Sequence, residues 1–236
     1  MRSNLINLPQ VTFSFENALP KHQYLFITGG RPPLNSWLRT AAKDCIIWCI
    51  DRGIDSCRSA GLIPEHLFGD GDSASKEGWD WAISLKIPIE KYQSEKDFTD
   101  TQLALEYASR DPEAMVVLTG CFGKRFDHLY STFFSCSHSK MPICLADEQE
   151  VLFPLTSGNE LTIIPERRPL ALSLLPITAV CSGVNITNVR WPLQNAELNQ
   201  AFPNAVSNRI KGEAPVRVSL SDGILGVYMY WENQSL

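Results

Sequence analysis

The sequence predicts an α/β domain, a mostly parallel sheet flanked by helices, followed by a C-terminal all-β sandwich. Two observations carry this. Between residues 23 and 146, short apolar runs alternate with helix-like segments, the pattern of parallel strands joined by helical crossovers. Beyond residue 150 the helical period fades, and β-prone runs follow one another, separated by Gly, Pro, Asn and Ser. With 236 residues and 44% hydrophobic content, the chain is long enough to bury a substantial core.

Taken in order, QYLFIT at 23–28 is the first strand and NSWLRTAAKD at 35–44 the first helix. CIIWCI at 45–50 precedes helical GIDSCRSAGL at 53–62, and EHLFG at 65–69 precedes SASKEGWDWAISL at 73–85. DTQLALEYASR at 100–110 starts behind Thr99, which stands three residues before Gln102 as in a capping box, and carries the apolar stripe Leu103, Ala104, Tyr107 and Ala108. AMVVLTG at 114–120 leads into GKRFDHLYSTFFSC at 123–136. In that helix Phe126, Leu129 and Phe133 form the expected buried stripe, while Arg125, His128 and Thr132 share another face. MPICLA at 141–146 closes the α/β series, and the boundary is expected near Pro154, giving domains 1–153 and 154–236. The second contains LTIIP, LALSLL, VCSGVNITNV, VRVSL and GILGVYMYWE as strands.

Composition narrows the function. A net charge of −5 without any basic stripe argues against a nucleic-acid partner, and the pair Lys124-Arg125 is too short to make one. The start MRSNLINLPQ has no apolar segment of signal-peptide length and no run reaches transmembrane length, so a cytoplasmic chain with no membrane partner is expected. Seven cysteines without a C-x-x-C pair fit reduced, packed thiols.

In a parallel sheet, ligands bind beyond the carboxyl ends of the strands. The polar clusters Gly29-Gly30-Arg31, Asp51-Arg52-Gly53, Asp70 with Asp72, and 120–125 all fall there. If the strand through Leu67 and Phe68 continues, Asp70 and Asp72 point to one side, where like charges repel unless a cation or proton lies between them. Asp100 in the first turn of its helix is accounted for by the helix dipole alone, but Asp97 beside it is not. Four carboxylates, Asp70, Asp72, Asp97 and Asp100, call for a hard cation, with Mg²⁺ the natural choice. Lys124 and Arg125 at a helix start have the opposite logic and suit phosphate, although Arg125 paired with Asp127 is the structural alternative. No G-x-x-x-x-G-K-[ST] loop is present. Magnesium-dependent transfer of a phosphoryl or pyrophosphoryl group is the class these residues indicate.

The ordered set C-I-D-R-G at 49–53, G-D-G-D-S at 69–73, K-D-F-T-D at 96–100 and G-x-x-G-x-R-x-D-H at 120–128, followed by R-W-P-L at 190–193 and V-S-N at 206–208, resembles the thiamine pyrophosphokinase family over most of the chain. The resemblance implies a homodimer that moves a pyrophosphoryl group from ATP to the hydroxyethyl arm of thiamine and leaves AMP. It implies that Asp70, Asp72 and Asp100 hold Mg²⁺ and that, with Arg125 and Asp127, they form the catalytic set. It likewise assigns Asp51, Gly53, Asp97, Thr99, Gly120, Gly123, Lys124 and His128 to ATP, and Trp191, Ser207, Asn208 and Lys96 to thiamine. For Trp191 a core aromatic of the sandwich and a stacking platform are both open. This chain departs from the family at Arg52 and Lys124, where glycines are usual, and at Arg209, where an acid is common. Those added cations leave room for another small acceptor in place of thiamine, and a non-catalytic binder of thiamine diphosphate or a nucleotide is the third alternative.

Overall fold

Antiparallel pairing near the N-terminus takes the first residues out of the domain expected to hold them. In the computed structural model, which describes residues 3–91 and 98–232, strands β1 (Leu5–Leu8) and β2 (Val11–Phe15) form a tight hairpin, and β2 pairs onward with residues 161–165. Ile6, Leu8, Val11 and Phe13 are buried, as the period of two requires. Residues 1–19 therefore group with 148–236, and the α/β unit spans 20–147, which corrects the expected division at 153/154. The signal was hidden because the hairpin's partner lies about 150 residues away, and Pro154 sits inside a strand opposite Gly226.

The α/β unit runs β3 (His22–Ile27), α1 (Asn35–Ala41), β4 (Ile46–Ile50), α2 (Gly53–Ser59), β5 (His66–Phe68), α3 (Lys76–Leu85), β6 (Ile89–Glu90), α4 (Asp100–Ala108), β7 (Ala114–Thr119), α5 (Phe126–Ser137) and β8 (Ile143–Ala146). Within the unit the order is β8-β7-β3-β4-β5-β6, every pairing parallel. All residues of β7 and β8 are buried, as expected for strands covered on both faces. Two-residue β6 is the one strand of this unit that the apolar runs did not announce. The chain steps outward from β3 to β6, then returns to place β7 on the other side of β3. The switch point therefore lies between β3 and β7, where loops diverge and leave a crevice. Beneath one face, Trp48 packs against the rings of Tyr24, Phe26, His66, Phe68 and Tyr107, with centroids 4.8–5.7 Å apart.

The β unit continues with β9 (Glu150–Thr156), β10 (Glu160–Pro165), β11 (Ala171–Pro176), β12 (Val180–Ile186), β13 (Leu193–Asn199), β14 (Val216–Ser219) and β15 (Ile224–Tyr230). Its strands pair antiparallel in the orders β1-β2-β10-β14-β12-β13 and β11-β15-β9. Phe153 from one set meets Phe13 and Phe15 from the other at 5.9 and 5.2 Å. Trp231, fully buried, donates its indole N–H to the Arg167 carbonyl at 2.7 Å. All seven cysteines are free thiols, six of them buried. Among the described residues no helix is long and apolar enough to cross a membrane.

Candidate active site

The ends of β3 and β7 are laced together. Thr28 N–H donates to the Thr119 carbonyl at 2.8 Å, Gly30 N–H to that of Gly120 at 2.5 Å, and Arg31 N–H to that of Phe122 at 2.7 Å. The approach demands glycine, since a Cβ on Gly30 would run into the Gly120 oxygen. Arg31 turns its Nε and Nη2 onto one oxygen of Asp147 at 3.0 and 2.6 Å, and Asp147 is wholly buried at the end of β8. This arginine is a strut across the edge, and its buried partner is a residue that sequence patterns alone did not single out.

On the other side of β3, Asp51 adopts φ 50 and donates its N–H to the Phe68 carbonyl at 2.8 Å, tying the ends of β4 and β5. Gly69 (φ 132) passes so close to Asp51 that a Cβ there would overlap the carboxylate. The strand stops at Phe68, so alternation does not place Asp70 and Asp72. A turn does: Asp70 Oδ1 accepts the Asp72 N–H at 3.1 Å. A hydrogen bond shared with Asp70, and then the Asp70 charge, push the Asp72 carboxyl above the usual carboxylate range, and Asp100 adds a smaller push of the same sign. Asp100 opens α4 behind the expected capping box, with Gln102 N–H to Thr99 Oγ1 at 3.2 Å and Thr99 N–H to Gln102 Oε1 at 2.8 Å. Asp55 anchors the far end of the acidic loop. It accepts the Ser75 hydroxyl at 2.6 Å and the Ser75 N–H at 3.0 Å, while Ser75 caps α3 through Gly78. The sequence reading indicated the helical segment but neither its N-cap serine nor the aspartate holding it.

Lys96 and Asp97 lie outside the described residues. Among the described residues, no three Asp, Glu, His or Cys side chains form a group that would hold a metal unaided. The Asp70–Asp72 pair, joined by the turn's N–H to carboxylate bond and with Asp100 adding its charge, still fits one kind of ion. Mg²⁺ commonly takes one or two carboxylates and completes its shell with water and substrate phosphates rather than with a protein cage.

The switch-point crevice is a cleft of about 470 Å³ whose lining includes Thr28, Asp51, Arg52, Ser73, Gly120 and Thr101. Gly123, Lys124, Arg125, His128 and Thr132 complete it, so the polar face expected of α5 does meet the cleft. Gly53 starts α2 directly against β3, where a Cβ would strike the Ile27 carbonyl. Lys124 donates from Nζ to the Gly29 carbonyl at 2.8 Å, and burial, then the neighbouring Arg52, lower its pKa. Arg125 grips Asp127 through Nε–Oδ1 at 3.1 Å and Nη2–Oδ2 at 2.5 Å, and Asp127 also accepts the His128 N–H at 3.0 Å. The fork thus has the carboxylate partner weighed as its structural alternative, and it holds the Asp127 carboxyl below its ordinary range. Because both groups are exposed, the pair adds little stability and orients the fork at the cleft wall. Phe126 is 76% exposed, against the expected buried stripe. The first turn of α5 stands clear of the sheet, Leu129 and Phe133 of the expected stripe are only half-buried, and full burial begins at Cys136.

In the β unit Trp191 is 53% exposed, which removes the core-aromatic alternative. Asn208 holds it from two directions, accepting the Trp191 N–H at 3.1 Å and donating to the Trp191 carbonyl at 2.7 Å. Ser207, at φ 60, donates its N–H to Ser173 Oγ at 3.0 Å, and Asn208 bridges to Leu172 of β11. Trp191, Ser207 and Asn208 are therefore one constellation although sixteen residues separate them. Arg190 stacks on the Trp191 ring with its guanidinium carbon 4.7 Å from the centroid, a contact that the sequence patterns did not indicate.

A cleft at the switch point of a parallel sheet, walled by Arg52, Lys124 and Arg125 and with Asp70, Asp72 and Asp100 on the neighbouring acidic turn and helix start, suits a transferase of phosphorus-containing groups. Residues 38–145 match the family model described as thiamin pyrophosphokinase, catalytic domain, and residues 160–225 match thiamin pyrophosphokinase, vitamin B1 binding domain. The chain is 25% identical to the thiamine pyrophosphokinase of Bacillus subtilis over 188 residues, 78% of this chain and 87% of that one. The fold superposes on crystal structures of thiamine pyrophosphokinase from Bacillus subtilis (TM-score 0.79, 21% identity, 89% of this chain and 100% of that one) and Geobacillus thermodenitrificans (0.78, 24%, 91% and 100%). The chain belongs to the thiamine pyrophosphokinase family. Its activity is that of a thiamine diphosphokinase, with thiamine and ATP as substrates.

Proposed function

We propose that the strand-end cleft is the site of pyrophosphoryl transfer, with Mg²⁺ held by Asp70, Asp72 and Asp100. The observation that carries this is the turn that closes Asp72 N–H onto Asp70 Oδ1 at 3.1 Å and so sets two carboxylates side by side just past the end of β5, where a cation offsets their like charge. When bound, the ion supplies positive charge against the polyphosphate. The chain's own residues do the rest. Asp51, Gly53, Gly120, Gly123, Lys124 and His128 bind the nucleotide beside the glycine-laced strand ends, and Thr99 holds the helix start that presents Asp100. Asp97 is assigned to ATP and Lys96 to thiamine on the resemblance alone. Arg125, oriented by Asp127, directs N–H donors at oxygens that gain charge in the transition state.

In the reaction the hydroxyethyl oxygen of thiamine bonds to the β-phosphorus of ATP while the bond from that phosphorus to the α,β-bridging oxygen breaks. AMP departs with that oxygen, and the hydroxyl proton is released. The thiamine heterocycle stacks on Trp191, with Ser207 and Asn208 completing its contacts, because an exposed indole suits a flat cation. We assign the working form as a homodimer, as the resemblance implies, and sedimentation at micromolar concentration tests it. Incubation with ATP, Mg²⁺ and thiamine is expected to yield AMP and thiamine diphosphate in equal amounts. Folded Asp72→Asn that forms both at the normal rate would refute the metal assignment.

A further inference from the structure

Two cations in the cleft ask for more than a role in lining it. Lys124 has φ 56, a left-handed conformation that glycine adopts freely and lysine does not. From there its ammonium reaches the Gly29 carbonyl across the β3–β7 edge. Arg52, at the start of α2, also lines the cleft, and among the described residues neither its guanidinium nor the Lys124 ammonium forms an ion pair. The two are close enough for Arg52 to disfavour the charged form of Lys124. A strained backbone that carries a cation beside a like charge is unfavourable in the unliganded protein. An anion lying between the two would reverse that balance.

We propose that Arg52 and Lys124 act together as a grip on the donor's phosphate chain, whose strength rises with the number of phosphates and does not require a divalent cation. The proposal rests on the nucleotide assignment of the cleft. An anion placed between the pair relieves their repulsion and gains attraction to both, and each added phosphate increases both effects. ATP is therefore held more tightly than ADP, and ADP more tightly than AMP. After transfer, the AMP that remains carries only one phosphate and is held weakly. The same wall repels cationic thiamine and keeps the acceptor out of the donor's place.

The test is equilibrium titration of ATP, ADP and AMP by calorimetry, in chelator and then in Mg²⁺, at two salt concentrations. It compares the wild type, Arg52→Ala, Lys124→Gly and the double variant. The wild type is expected to bind ATP in chelator, with affinity falling at each step to AMP. Each single change is expected to weaken ATP roughly tenfold and the pair about a hundredfold, with AMP altered less than about threefold and the salt dependence reduced. Lys124→Gly should melt at or above the wild-type temperature, because the left-handed strain is removed. The grip is overturned if the wild type fails to bind ATP in chelator, if the double variant binds ATP within about threefold of wild type, or if ATP, ADP and AMP weaken equally. Should the double variant not fold, the two single variants decide by the same criteria. His128→Ala, at a residue assigned to the nucleotide and lining the same cleft, separates the grip from the nucleotide assignment. If it and the double variant both leave ATP affinity unchanged, the nucleotide assignment falls; if His128→Ala weakens ATP and the double variant does not, only the grip falls.

Discussion

The α/β unit and the β unit position their candidate ligand-binding residues by different means. In the α/β unit the parallel sheet does the positioning: each polar cluster sits where a strand ends, and backbone hydrogen bonds such as Gly30 to Gly120 set the spacing. In the β unit, no strand end presents Trp191. A side chain does, as Asn208 clasps both the N–H and the carbonyl of the tryptophan from a distant segment. The first arrangement is charged and its parts repel, as at Asp70–Asp72 and Arg52–Lys124. The second presents an aromatic face with hydrogen bonds already satisfied. A site whose parts repel gives up stability for ligand charge, whereas a satisfied one does not, so mutations should separate activity from stability more sharply in the α/β unit.

The largest effect expected from that contrast is at Asp72. Asp72→Asn should cut turnover on the order of a thousandfold or more, since a carboxylate proposed to hold the metal ion is lost. Its melting temperature should stay level or rise, because the change removes a like-charge contact with Asp70. A marked fall in melting temperature would show that the acidic turn is structural, and the contrast between the units would collapse. Next is Arg125→Ala, expected to lower kcat/KM about a hundredfold with little change in stability, since its partner Asp127 is exposed. Steady-state kinetics with ATP varied provides the check.

What was legible in the sequence follows the same division. In the α/β unit, strand and helix runs, the Thr99 capping box and the polar face of α5 were visible because local periodicity and capping chemistry act within a few residues. Besides β6 and the Asp55 anchor, three further features there were not. The turn that joins Asp70 to Asp72 replaces the strand alternation expected of them. Phe126 lies on a helical turn that the sheet does not cover. The strut from Arg31 to the buried Asp147 spans 116 residues. In the β unit the strands were visible as β-prone runs apart from β9 and β13, but the N-terminal hairpin was not assigned to them. The Trp191 constellation was available only through the resemblance, because pairing by Asn208 leaves no periodic trace.

Trp191→Ala is the corresponding probe of the β unit, and a smaller effect is expected. An indole half exposed to solvent contributes far less to stability than the roughly 3–5 kcal/mol of a buried aromatic, and the Arg190 contact adds at most about 1 kcal/mol. The KM for thiamine should rise about tenfold, with ATP affinity and melting temperature nearly unchanged. Loss of several degrees of melting temperature with normal thiamine dependence would return Trp191 to a structural role.

The smallest effect concerns pH, and it too distinguishes the units. All four histidines, His22, His66, His128 and His138, lie within 20–147, so the β unit has none. His66 is buried in β5, stacked on Phe68 at 4.6 Å and near Trp48 and Tyr107, with Nε2 3.6 Å from Glu90 Oε1. Burial lowers its pKa below the ordinary 6.5, the Glu90 carboxylate opposing this only in part. The unfolded chain therefore takes up a proton near pH 6.5 that the folded unit still refuses. Stability is full above pH 6.5 and declines as the pH falls from there toward the depressed native value. Asp111, whose carboxyl is held below 3.8 by the Glu113 N–H and then by His22, stays charged throughout that interval and does not contribute to the slope. Hydrogen exchange between pH 7 and 5.5 should show protection falling in β4, β5 and α4 while the β-unit amides, corrected for intrinsic rates, hold theirs. His66→Phe keeps a flat ring in the stack and has no proton to gain, so it should flatten the slope of the α/β unit. A slope that survives His66→Phe would place the acid sensitivity elsewhere in the unit. An equal slope in the β unit would remove pH as a way of telling the two apart.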